Sequence, residues 1–318
     1  MKRLLNAPEY AFLHDPLAIR GQLCYLTVAG SHAYGTAVPE SDVDLRGVAV
    51  EPVTDLILGR QLDKYESTGT DTVVYGLRKY VGLCLNCNPN VVEMLGTRPE
   101  HVLVCTSAGQ LLRDNIQLFL SKRAYATFTC YAVSQLRRLQ NALARDEYPP
   151  AVKSAHIAAS ADNIVRGLTT EYAGLDGQFT FAVVDDQPVV TVHATNMPLK
   201  VFTDVNAQLG TLLRNYGKLN HRNRKKDDAH LRKHAMHIVR LYLMGIDILN
   251  GNGIHTYREG DHDLLMDIRS GRMGLDHVVA MADELGQAIN DAYAHSPLPP
   301  KPDQQAVDNL LLRIYGER

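Results

Sequence analysis

The sequence predicts an α/β (α+β) chain, with a small mixed-sheet domain at the front and a mainly helical domain behind it. Three observations predict this. Short β-branched runs bounded by turn residues crowd the first third of the chain, and from Ser107 onward apolar residues recur at helical spacing. Between the two patterns, Glu147-Tyr148-Pro149-Pro150 reads as a hinge. At 318 residues the chain exceeds the usual single-domain size, so two domains are expected, at residues 1–105 and 106–318.

The elements follow in order. Pro8 and Pro16 restrict residues 1–22 to one short helix. Residues 23–29 (LCYLTVA) and 43–50 (VDLRGVAV) read as buried strands, with a short helix at 32–36 between them. Pro39 forces an extended approach to the second strand. Pro52 to Gly69 reads as loop, Thr70–Tyr75 as a strand, Leu77–Leu85 as a helix and His101–Cys105 as a further strand. Asn88 before Pro89 is an N-cap with proline at the first helical position, and Glu93 completes a capping box. Ser107 to Arg145 is helical with a break near Ser121, and Ser154–Tyr172 is a helix. Two β-branched runs within 179–193 flank Asp185-Asp186-Gln187-Pro188 as a hairpin. Helices are then expected at 204–219, 227–250, 261–271, 275–294 and 304–315, with Gly251 and Gly253 stopping the long one.

Composition narrows the class. Formal charge is 33 − 35 = −2, so no global basicity signals a nucleic-acid partner. The first residues lack a signal-peptide pattern, and no run approaches the ~20 apolar residues that span a bilayer. Five scattered cysteines fit reduced thiols and a cytoplasmic setting. Cys84 and Cys87 have zinc-knuckle spacing but no second pair, and read as core thiols.

The chemistry concentrates in Leu26–Val50. An apolar run delivers Gly30-Ser31, and Ser41-Asp42-Val43-Asp44 follows on the next strand. The i, i+2 spacing puts Asp42 and Asp44 on one strand face, where paired hard oxygens suit Mg²⁺. Gly30 lets the backbone approach a phosphate closely, and Ser31 can hold it. Arg46 points to the same face and can neutralise the pair. A third carboxylate would help to bind metal and deprotonate an attacking hydroxyl; Asp71 is the natural choice, with Asp63 and Glu66 as competitors.

GSHAYGTAVPESDVDLRGV resembles the GS…DxD signature of the polymerase-beta-type nucleotidyltransferase superfamily. DTVVYGLRKY, NPNVVEML and KHAMHIVRL…IRSG extend the resemblance to a bacterial and phage branch that includes polymerase-beta-like proteins of RNA repair pathways. The resemblance implies that Asp42, Asp44 and a third carboxylate, here Asp71, hold two Mg²⁺ ions, for which Mn²⁺ can substitute. It implies that Gly30 and Ser31 contact the triphosphate of an NTP, and Tyr34, Ser41 and Arg46 join them as candidate nucleotide contacts. Arg78 and Lys79, following Asp71, are further candidates. On the long helix, Lys233, His237 and Arg240 form one polar stripe, and Lys233 and Arg240 are expected at the β- and γ-phosphates. The nucleotide is expected in a cleft between the two domains. The basic run Arg222, Arg224, Lys225 and Lys226 would track an RNA acceptor. The expected reaction moves a nucleoside monophosphate from an NTP to an RNA end. A protein side chain or small molecule is the alternative acceptor, and a non-catalytic nucleotide- or RNA-binding protein is the alternative class.

Overall fold

The computed structural model describes residues 2–143, 150–169, 172, 174–222 and 228–316. Two 3-10 turns, Lys2–Asn6 and Pro8–His14, replace the single helix expected before β1 (Gln22–Ala29). β1 runs straight into α1 (Gly30–Tyr34), and β2 (Asp44–Val50) returns antiparallel to β1. The stretch read as loop contains α2 (Val53–Ile57) and β3 (Lys64–Ser67). Lys64-Tyr65-Glu66-Ser67 has almost no strand signature of its own and becomes one by pairing with β4 (Thr72–Gly76). α3 (Leu77–Leu85), α4 (Pro89–Val92) and β5 (Val102–Cys105) follow. Asn88 caps α4, its side chain accepting from Asn90 N at 3.1 Å.

Behind them lie α5 (Ser107–Asp114), a 3-10 turn at Ile116–Phe119, and α6 (Arg123–Leu143), so the break near Ser121 is real. α7 (Pro150–Leu168), the hairpin β6 (Phe179–Val184) and β7 (Gln187–Val192), and α8 (Leu199–Arg222) come next. The chain ends in α9 (Asp228–Leu249), α10 (His262–Ser270), α11 (Leu275–His295) and α12 (Gln304–Gly316). Except for Pro150, which opens α7, the expected hinge lies outside the described residues. No helix among the described residues is long and apolar enough to cross a membrane.

Contacts divide the chain into two compact units, Met1–Leu136 with Arg232–Arg318, and Arg137–Leu231. The boundary expected at residue 105 coincides with neither cut. The reason is that α5 and α12, past that boundary, pack into the same core as the sheet.

The first unit holds a five-stranded sheet in the order β3-β4-β2-β1-β5, with β2 and β4 parallel and the other pairs antiparallel. Strand alternation buries both faces. Tyr25, Val48 and Val50 meet Leu77, Tyr80, Phe119, Leu310 and Ile314 on one side. Leu26, Val28, Leu45, Ala49 and Val74 meet Leu5, Tyr10, Leu13 and Ile19 on the other. The second unit packs its hairpin on α7 and α8 around Val165, Leu168, Phe179 and Val205. Asp185 and Asp186, with φ 49° and 60°, make the two-residue turn that a tight hairpin requires.

One carboxylate organises the far end of the sheet. Glu51, wholly buried just beyond β2, accepts from the Leu77 backbone N at 3.0 Å and from the Tyr315 hydroxyl at 3.1 Å. It thereby satisfies an orphan donor at the start of α3, complements that helix's dipole, and ties α12 to the sheet. Glu51→Ala should lower the free energy of unfolding by roughly 1–3 kcal/mol. Urea denaturation measures this, and an unmoved midpoint would remove Glu51 from that role.

Candidate active site

α1 begins at Gly30 itself, with φ +60°, and ends at Gly35, with φ +73°. A Cβ on Gly30 would lie 2.9 Å from Asp44 Cγ, so glycine is required both for the turn and for the Asp44 carboxylate beside it. Register places Ala29 opposite Asp44, and Ser31 is buried in the first turn of α1. The loop before β2 is tethered through Ser41, whose Oγ accepts from Val38 N at 2.9 Å and whose carbonyl bonds the His32 ring at 3.2 Å. Asp42 is exposed on this loop; β2 starts only at Asp44, so the two carboxylates do not share a strand face as expected. Pairing with β1 starts at Ala29↔Asp44, which leaves Asp42 beyond the ladder.

The parallel pairing of β2 with β4 sets Leu45 opposite Thr72, and so brings Asp71 level with Asp44 at the same sheet end. Asp71 takes φ +43°, and its carbonyl accepts from Leu45 N at 3.2 Å and from Arg46 Nη1 at 2.7 Å. Arg46 Nη2 lies 3.3 Å from Asp44 Oδ1, so one guanidinium joins both positions. The competitors sit elsewhere. Asp63 pairs with Lys79 at 3.7 Å, and Glu66 bonds Lys64 at 2.6 Å on the edge strand.

As donors, Asp44 and Asp71 offer only hard oxygens, which fit a divalent cation that takes one or two carboxylates and completes its shell with water and phosphate. Among the described residues no three His, Cys, Asp or Glu side chains gather as a ready ligand set. The site is thus a two-carboxylate pair with Asp42 on its rim, its positive charge here supplied by Arg46.

The polar stripe of α9 has a different use from the one expected. Arg240 is wholly buried, as are Ile238, Val239 and Leu241 around it. Its Nη1 donates to Glu93 Oε2 at 2.8 Å, and its guanidinium carbon lies 3.6 Å from the centre of the Tyr34 ring. Tyr34 donates to the other Glu93 oxygen at 2.7 Å. Burial works against the Arg240 charge, and interactions with Tyr34 and Glu93 more than offset it. Arg240 and Tyr34 are therefore internal ties rather than surface phosphate contacts. His237 Nδ1 accepts from Arg240 Nη2 at 3.2 Å, while burial and the adjacent cation push its pKa down to about 3. Lys233 stays exposed. Asp44, Asp71, Glu93 and Arg240 all belong to the first unit, so the site as built is internal to one unit.

Arg78 and Lys79 are not near Asp71. They open α3 at the far end of β4, a strand of five residues that spans about 17 Å. There they line a recess of 330 Å³ with Gln61, Asp63 and Asn86. Arg224, Lys225 and Lys226 lie outside the described residues, and of Arg222 only its place at the end of α8 is described. Glu93 escaped the sequence reading, although a lone carboxylate inside Val91-Val92-Glu93-Met94-Leu95 signals a buried charge awaiting its partner.

Two outcomes follow. Removing either partner alone, by Arg240→Met or Glu93→Leu, should cost about 3–5 kcal/mol, whereas the double variant should cost far less than their sum. A double-mutant cycle in denaturant measures the coupling. His237 binds its proton only near pH 3 when folded but near its ordinary value, about 6.5, when unfolded. The unfolded state therefore holds the extra proton between those values, and stability is lost as pH falls through that window. His237→Phe should flatten this acid limb in thermal unfolding followed at stepped pH.

Residues 13–157 match the model of the RNA repair pathway DNA polymerase beta family, a little under half of the chain. Among curated proteins, an uncharacterized 38.9 kDa protein from the nrdC-mobD intergenic region of Enterobacteria phage T4 is 33% identical over 85 residues, 23% of this chain and 25% of that protein. The chain thus spans about a quarter of the length of the relative it matches. No solved structure matches it. Over residues 13–157 the chain is similar to the RNA repair pathway DNA polymerase beta family, in agreement with the resemblance carried by its motifs.

Proposed function

We propose that the chain is a Mg²⁺-dependent nucleotidyltransferase that moves a nucleoside monophosphate from an NTP to a hydroxyl acceptor, an RNA end first among them. The observation that carries this reading is Asp44 and Asp71 level at one sheet end, with the Asp44 carboxylate pressed against a glycine that opens a helix. The family similarity supports it independently.

In this reading the Gly30-Ser31 turn receives the phosphates, because the missing Cβ allows close approach and the Ser31 hydroxyl can donate. Asp71 accepts the acceptor's hydroxyl proton. The freed oxygen forms a bond to the α-phosphorus, the bond from that phosphorus to the β-bridging oxygen breaks, and pyrophosphate leaves with the electron pair. Arg46, already holding Asp44, orients the carboxylate pair. Asp44 and Asp71, with Asp42 beside them, would hold Mg²⁺ (or Mn²⁺ in its place), which when bound lowers the acceptor pKa and neutralises phosphate charge.

The test offers each radiolabelled NTP with Mg²⁺ to pooled tRNA, short oligonucleotides and the protein itself. Label on RNA is the expected result. Label on protein would move the acceptor to a side chain, and no label under any condition would favour a binder without turnover. Asp44→Asn should lower the rate on the order of 100-fold or more. Its thermal midpoint should stay near wild type, because the partly exposed pair with Arg46 contributes about 1 kcal/mol or less. Full activity in this variant would remove Asp44 from the chemistry.

A further inference from the structure

Arg269 stands at the end of α10, and its guanidinium has two N–H groups, at Nε and Nη1, buried without an acceptor. Its third nitrogen reaches Ser41 Oγ at 3.5 Å, the outer limit of a hydrogen bond. Among the described residues no carboxylate pairs with it, and burial lowers its pKa. This arrangement is costly, because a desolvated cation with orphaned donors has neither water nor a counter-ion. Its neighbours at the C-terminal end of α10 add positive charge. Arg232 donates to the Ser270 carbonyl at 3.3 Å, and a Cβ on Gly271 would lie 2.6 Å from Arg232 Nε. The nearby carboxylate Asp267 is engaged by Arg272.

The position of this cation matters. Ser41 immediately precedes Asp42 and lies on the loop that leads into Asp44, so Arg269 sits over the approach to the sheet end where the carboxylates converge. Arg240, the expected phosphate contact, is spent on Glu93, whereas Arg269 has unfilled donors in the forked geometry that matches phosphate oxygens.

We propose that Arg269, steadied by Ser41, is the side chain that clasps the polyphosphate tail of the nucleotide. Resting on the nucleotidyl-transfer reading above, this makes Arg269 a positioning residue that distinguishes an NTP from a nucleoside monophosphate and holds the departing pyrophosphate. The ligand class is a linear polyphosphate, bound through its terminal oxyanions.

Isothermal titration of the full chain with inorganic tripolyphosphate, ATP and AMP tests it. Wild type should bind tripolyphosphate and ATP, and Arg269→Ala should weaken both at least tenfold while leaving AMP affinity unchanged. Its thermal midpoint should equal or exceed that of wild type, because an uncompensated charge is removed. Arg269→Lys should fold and bind with intermediate affinity, and it decides the matter if the alanine variant does not fold. Unchanged tripolyphosphate affinity in the variants, or none in wild type, overturns the proposal. Arg269-dependent binding without label transfer to any acceptor would sink the enzymatic reading and leave the anion site standing. Transfer by Arg269→Ala with an unaltered KM for NTP would do the reverse.

Discussion

The Arg240 guanidinium is removed entirely from water, and the arrangement around α1 compensates for that removal. Desolvating a cation costs several kcal/mol unless its geometry and partners are good. Here one carboxylate oxygen of Glu93 meets the guanidinium, the other takes the Tyr34 hydroxyl, and the Tyr34 ring lies against the cation's flat face. Because Tyr34 is the last residue of the helix that begins at Gly30, fixing its ring fixes the turn that carries Gly30 and Ser31. Neutral His237 completes the set as an acceptor, which its low pKa keeps available across the physiological range.

Charge at the sheet end is arranged on the opposite principle. Asp44 and Asp71 are partly or fully exposed, and the cation between them, Arg46, is only partly buried. Buried charges with matched partners are rigid, whereas half-exposed ones can exchange partners at little cost. The first unit therefore couples a locked ionic core to a displaceable ionic rim, and Arg269 stands with the rim.

Much of this was legible in the sequence. The strand–turn–strand of Leu26–Val50, the bounds of α3, the Asn88 cap and the hairpin with its Asp185-Asp186 turn all follow from local propensity and turn chemistry. What local pattern could not supply was strand order. That β4 lies beside β2, and parallel to it, sets Asp71 next to Asp44 and carries Arg78 and Lys79 to the other end, although the cations are close to Asp71 in sequence. The same limit hid β3, which is a strand only through its partner. Amphipathic spacing on α9 was read correctly as polar, but a polar stripe looks alike whether it faces water or a buried carboxylate. Only Glu93, from a distant segment, decides which.

The first compact unit is discontinuous in the chain, since Arg137–Leu231 intervenes between its two parts. Glu93 lies in the earlier part and Arg240 in the later one. During synthesis the sheet and its carboxylates can emerge and pair well before the residue that neutralises Glu93 exists. Until α9 leaves the ribosome, the nascent sheet carries an uncompensated acidic group in its apolar layer, and the Gly30 turn lacks its anchor. Closure of a contact of such long sequence separation is slow, because loop entropy opposes it. Maturation of the phosphate-receiving turn is thereby tied to completion of the chain, and fragments ending before α9 emerge without the tie that orders it.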